Sequence, residues 1–216
     1  MPKVKVKRKS TLIDMTAMSD VTVLLLTFFM LTSTFVKKEP VQVNTPGSVS
    51  EIKIPETDIL QILIDPSSTA TSMHIFMSLD KQADMTEILK RVGSEYDIEF
   101  TPKELSEFSL LPTFGAPISK MKDFLAMAPE TRDSQLKSMG IPNDSINNEF
   151  KVWVRNTRKL MNETDRRDNF KIAIKADVST PYPVVKKVMD DLRDIRENRY
   201  NLITSLKKTA ASASPE

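Results

Sequence analysis

Residues 15–36 read MTAMSDVTVLLLTFFMLTSTFV, apolar or weakly polar at every position except Asp20. At about 1.5 Å per residue, roughly 22 such residues make a helix about 33 Å long, enough to cross a bilayer. Thr11 and Asp14 stand three apart just ahead of the run, a spacing that suits a helix cap. The expected membrane helix covers residues 12–36.

Beyond it the pattern changes. Pro40, Pro46, Gly47 and Pro55 punctuate residues 37–57, where Val41 and Val43 alternate with polar side chains. This reads as an extended linker. It is either a plain tether or a partner-binding strand carried by Val41, Val43 and Pro46. Residues 59–64 and 74–79 are short apolar runs separated by PSSTATS, which predicts a hairpin with a long loop. Met85, Ile88, Leu89 and Val92 share one face of a helix over 84–96. Phe170, Ile172, Ile174 and Ala176 take one side of a strand, with Lys171 and Lys175 on the other. Val184, Val188, Leu192 and Ile195 stripe a helix over 181–198, with Pro183 in its first turn. Residues 201–206 close as a strand. The domain over 58–206 is therefore expected to be α+β, a small α/β sandwich with helices on one face of a sheet.

Inside that domain, residues 98–168 hold PKELSEF, PISKMKDFLAM, PETRDSQLKSMG and SINNEFKVWVRNTRKLMNE. Each is helical in pattern, and Pro112, Gly115, Pro129, Gly140 and Pro142 separate them. They read as a helical insertion on the domain surface that enlarges the contact area for a partner. Trp153 reads as a packing anchor within it. His74, beside Ile75 and Phe76, reads as an ordinary strand histidine. Residues 207–216, KKTAASASPE, are low in complexity and expected to be disordered.

Charge refines the picture. The net charge is only +2, from 31 cations and 29 acids. Yet Lys3, Lys5, Lys7, Arg8 and Lys9 crowd the first nine positions, and Asp14 and Asp20 are the only acids before residue 37. Setting these aside leaves 26 cations and 27 acids, so a basic tail over residues 1–11 carries the excess. A basic flank keeps its side of a spanning helix in the cytoplasm, which sends the remaining chain to the far side. The mean hydropathy of −0.28 conceals the span. No small-x-small site closes the apolar run, which favours a retained single-pass anchor over a cleaved signal. The absence of cysteine excludes disulfides and thiolate metal sites, and a single histidine excludes a His-rich one. Four glycines leave no phosphate-cradling loop. The expectation is a protein that holds no thiolate or His-rich metal site and binds no nucleic acid.

Asp20 then stands out. A charged aspartate in a spanning helix costs about 2.5–3.5 kcal/mol on insertion scales, and anchoring alone does not require that cost. In hydrocarbon the neutral carboxyl is the cheaper form, so such a group can take up and release a proton. Thr16, Asp20, Thr27 and Thr34 follow one another at four, seven and seven residues and form one weakly polar stripe. Leu24, Leu25, Leu26, Phe28, Phe29 and Met30 fill the other faces. A polar stripe should face protein or a water-filled path, which one helix cannot enclose, so partner helices are implied. The competing reading leaves Asp20 at the headgroup edge, solvating the helix start. Asp14, close to the cap, reads as structural.

The segment IDMTAMSDVTVLLLTFFMLTSTF resembles the transmembrane signature of the ExbD/TolR family of biopolymer-transport proteins, I-D-M-T-P-M-x-D-V-x-x-L-L-L-x-F-F-M. Ala17 stands where the family usually has proline. VQVNTP at residues 41–46 resembles the family's V-x-V-x-L-P linker, with Thr45 in place of leucine. FKIAIKADVSTPYPVVKKVMDDLRDIRENRYNLITSL resembles the closing strand–helix–strand of the family's periplasmic domain, with I-K-A-D at 174–177 and P-Y-x-x-V at 181–185.

The resemblance implies a stator subunit of a proton-driven motor in the bacterial inner membrane, with its N-terminus cytoplasmic and its C-terminal domain periplasmic. Asp20 would be the proton-carrying group. A homodimer would place a pair of these helices inside an ExbB/TolQ-like polytopic ring and pass work to a TonB- or TolA-like transducer. That work would energise TonB-dependent transport across the outer membrane, with protons as coupling ion and no other cofactor or metal. Such a subunit would be no enzyme in the bond-making sense. Alternatives are a TolR-like, gliding or flagellar-type stator subunit, or a non-conducting single-pass scaffold.

Overall fold

The structure, a computed structural model, describes residues 15–33, 43–48, 57–68, 73–144 and 147–206. The basic tail, Thr11, Asp14, Thr34, Val41 and residues 207–216 lie outside the described residues. The chain divides into two compact units, Met1–Lys37 and Lys38–Glu216.

Among the described residues of the first unit there is one helix, α1, Met15–Thr32. Its 18 residues rise about 27 Å, close to the thickness of a hydrocarbon core. None of its side chains is buried within the chain, so its Leu, Phe, Met and Val surface must be covered by something else. Length and composition suit a membrane span.

The second unit is built on a four-stranded sheet. β2 (Ile59–Ile64) and β3 (Ile75–Leu79) form the antiparallel hairpin, with Leu63 opposite Phe76. β4 (Lys171–Ala176) runs parallel to β2, pairing Leu60 with Ile172 and Ile62 with Ile174. β5 (Tyr200–Leu202) runs parallel to β4. The spatial order is β3-β2-β4-β5. β2, central and paired on both sides, is apolar on both faces, as a buried strand must be.

Three long helices pack with this sheet: α2 (Gln82–Glu95), α6 (Glu149–Glu163) and α7 (Tyr182–Asp194). Between α2 and α6 lie α3 (Pro102–Ser109), a 3-10 turn at Ile118–Lys120, α4 (Met121–Ala126) and α5 (Pro129–Leu136). Thr101 caps α3 through a reciprocal capping box with Glu104. α6 is tied to α2 by Arg91–Glu163 and Arg155–Glu95. It is tied to the α7 side by Lys151–Asp191 and Arg158–Glu197.

The expectation of an insertion lying on the domain surface is corrected here. Phe108, Phe114, Met121, Phe124, Phe150 and Trp153 are all fully buried. Trp153 stacks on Phe108 with ring centroids 6.1 Å apart and packs against Phe114 at 4.8 Å. The segment also closes the free edge of β3. Met77 and Phe114 exchange backbone hydrogen bonds of 2.8 and 2.9 Å, and the Ile141 N–H donates to the Ile75 carbonyl at 2.9 Å. Edge strands carry unpaired amides that invite pairing, and here the chain supplies the cover itself. That approach needs two glycines. A β-carbon on Gly115 would collide with the Phe76 ring, and one on Gly140 would lie 2.6 Å from His74 Cα. His74 sits just before β3, its N–H donating to Ser68 Oγ at 3.0 Å.

The closing strand also differs from expectation. Instead of one strand over 201–206 there are two, β5 and β6 (Ser205–Leu206). β6 leaves the main sheet and pairs in parallel with β1 (Gly47–Ser48) from the linker.

Candidate functional site

α1 is rich in β-branched and aromatic residues, which are modest helix formers in water. In hydrocarbon every backbone group must be satisfied within the segment, and that makes the helix the stable form. Asp20 lies five residues in, about 7.5 Å along the axis. It is the sole charged side chain in the helix. The hydroxyls around it turn back onto their own helix. Ser19 donates to the Met15 carbonyl at 2.8 Å, Thr22 to Met18 at 2.8 Å, Thr27 to Leu24 at 2.9 Å and Thr32 to Phe28 at 2.7 Å. The Asp20 carboxyl has no hydrogen-bond or ion-pair partner among the described residues. Thr16 and Thr27 share its face by spacing, while Thr34 lies outside the described residues.

The linker meets its own domain. Val43 is half-buried against the core. The Asn44 N–H donates to Asp177 Oδ2 at 2.7 Å, and the Val178 N–H returns a bond to the Asn44 carbonyl at 3.0 Å. The Pro46 carbonyl accepts from the Ser205 N–H at 3.0 Å, and the Thr45 carbonyl accepts from its hydroxyl at 3.0 Å. The other Asp177 oxygen takes the Ser179 hydroxyl at 2.6 Å and the Ser179 N–H at 2.8 Å. These bonds, Ser179's first, hold the Asp177 carboxyl below the usual aspartate range. Sequence reading noted Asp177 only as part of a motif and missed Ser205. The signal for Asp177 was Asp-Val-Ser, the spacing of a turn in which a carboxylate binds the backbone two residues on.

Residues 6–108 match the family model described as biopolymer transport protein ExbD/TolR. Over that span, a little under half of the chain, the sequence is similar to the ExbD/TolR family. Comparison with curated proteins and with solved structures gave no match. The matched span holds α1, β1, β2, β3, α2 and most of α3. The block from β4 to β6 lies beyond it and joins it through the β2–β4 register.

The match suggests a subunit that couples energy to biopolymer transport, and α1 suits a membrane anchor by length and composition. The unpartnered carboxyl on α1 fits that setting. A helix that must assemble with others can leave one polar group for a neighbour to satisfy.

Proposed function

We propose that this protein acts as an ExbD/TolR-type, proton-carrying stator subunit of a motor in the bacterial inner membrane. The motor uses the proton motive force to energise TonB-dependent transport across the outer membrane. Asp20 carries the proton. The observation behind this reading is that Asp20 is the only charge on α1 and lacks a partner among the described residues, while neighbouring hydroxyls are satisfied by their own backbone.

The physics is direct. Protonated, the Asp20 carboxyl is neutral and tolerates an apolar surround. Deprotonated, it needs a polar group or water that an ExbB/TolQ-like ring around two α1 helices supplies. The alternation between these states favours two positions of the helix pair relative to the ring. Each proton crossing about 100 mV releases roughly 2.3 kcal/mol for that movement. Thr16, Thr27 and Thr34 keep the face weakly polar. The basic tail holds the N-terminus in the cytoplasm and the domain lies in the periplasm. There the linker, through Val41, Val43 and Pro46, passes work to a TonB- or TolA-like transducer. Protons are the coupling ion, with no cofactor.

The test compares Asp20→Asn with Thr22→Val in cells, reading energy-dependent outer-membrane uptake alongside membrane insertion. Asp20→Asn should abolish uptake with insertion intact, and Thr22→Val, outside the polar stripe, should keep uptake within about twofold, because its hydroxyl serves its own helix. Uptake persisting in inserted Asp20→Asn protein would overturn the reading in favour of a non-conducting scaffold.

A further inference from the structure

Six of the nine described arginines have a carboxylate partner: Arg91, Arg132, Arg155, Arg158, Arg166 and Arg193. The other three, Arg167, Arg196 and Arg199, have none among the described residues, and all three line one cavity of about 650 Å³. Lys171, likewise without an ion-pair partner among the described residues, joins them. The cavity lies where α6 and α7 end and β4 and β5 begin.

Its wall is already neutral. Arg158 grips both carboxylate oxygens of Glu197 and lies over the Phe170 ring at 4.6 Å. That leaves four cations against Asp165 and Asp168, a surplus of two positive charges. Helix dipoles favour a cation at each C-terminus, but they do not call for four around one concavity. The backbone adds a second sign. Asp165 (φ 54°) and Arg196 (φ 64°) both occupy the left-handed region just past a helix, where glycine is the least strained choice. The chain instead holds side chains there, at the rim of the cavity.

We propose that this cavity binds a phosphate group. Guanidinium forks match tetrahedral oxyanions, and a phosphomonoester's charge of about −1.5 to −2 offsets the surplus. The phosphate comes either from a free phosphorylated solute or from a lipid headgroup, and the chemistry at the arginines is the same.

The chain has no cysteine, so Asn198→Cys at the cavity rim can carry a single fluorophore on the full-length protein. In phosphatidylcholine nanodiscs, inorganic phosphate is titrated against chloride at equal ionic strength. In a second arm, nanodiscs containing phosphatidic acid replace the pure phosphatidylcholine ones, with no added phosphate. A saturable change in the first arm assigns a soluble source, and a change in the second assigns a headgroup. In either arm Arg199→Gln should weaken the response about tenfold. Arg193→Gln, which is exposed and outside the cavity, should leave it unchanged. Silence in both arms, a response indifferent to Arg199→Gln, or equal loss in Arg193→Gln overturns the proposal.

Discussion

Arg166 grips Asp84 with two hydrogen bonds, of 2.7 and 2.8 Å, across 82 residues of sequence. The same guanidinium reaches Asp58 at 2.9 Å. Asp58 and Asp84 lie in the family-matched span and Arg166 beyond it, so this cation fastens the two parts of the domain. Removing it leaves two nearly buried carboxylates short of a partner. Arg166→Met should therefore destabilise the domain by about 2–4 kcal/mol. This is less than for a fully buried pair, because Arg166 keeps 19% of its side-chain surface exposed. Urea unfolding measures the loss, and Arg166→Met with Asp84→Leu should recover part of it.

Acid should loosen the same network. Lys81, bonded at 2.6 Å, is the first cause holding the Asp58 carboxyl below its ordinary value of 3.8, and Arg166 adds to it. A carboxyl lowered on folding contributes stability that is complete above its unfolded pKa and fades as pH falls through the lower folded value. Urea midpoints should thus stay level for this group from pH 7 to about 5 and decline below pH 4. Asp58→Asn should flatten part of that decline.

The buried aromatic cluster makes the helical insertion part of the fold. Trp153→Ala should cost about 3–5 kcal/mol, measured by the same unfolding experiment. Deleting residues 98–168 should leave the domain unfolded, with dispersed amide resonances lost, in contrast to the mild effect expected of a surface attachment.

Gly140 allows the insertion to close on β3. An alanine there would press on the His74 backbone, which cannot rotate away as a side chain can. Gly140→Ala should destabilise by about 1–3 kcal/mol and speed hydrogen exchange of the Ile141 amide, whose bond to Ile75 depends on that approach.

Asp177 anchors the linker. Asp177→Asn keeps the shape but loses the charge that Asn44 and Ser179 stabilise. Amide exchange at Asn44 and Val178 should accelerate severalfold while the β2–β4 ladder stays protected. In the unaltered protein the same acceleration should appear as pH drops below the usual aspartate range, and not between pH 6 and 8.

Much of this was legible in advance, for local reasons. Val184, Val188 and Leu192 announce α7 because a helix repeats every 3.6 residues, and each is fully buried. Asp20 announces itself because a charge inside an apolar run is costly wherever the run is placed. The closing strand misled because residues 201–206 look uniform, while their break comes from different partners, β4 for the first half and β1 for the second. The insertion misled for a similar reason, since an amphipathic stripe tells which face is buried and not against what.

The sequence by itself determined the apolar helix, its single acid, the basic tail and the order of elements from β2 to α7. These follow from composition and short-range periodicity, which need no knowledge of distant neighbours. Only the tertiary structure decided the rest. Phe114 and Ile141 seal β3, Asn44 meets Asp177 across 133 residues, and three arginines with no ion-pair partner among the described residues share one cavity. Such meetings depend on how packed elements bring remote segments together, and no local pattern encodes that distance.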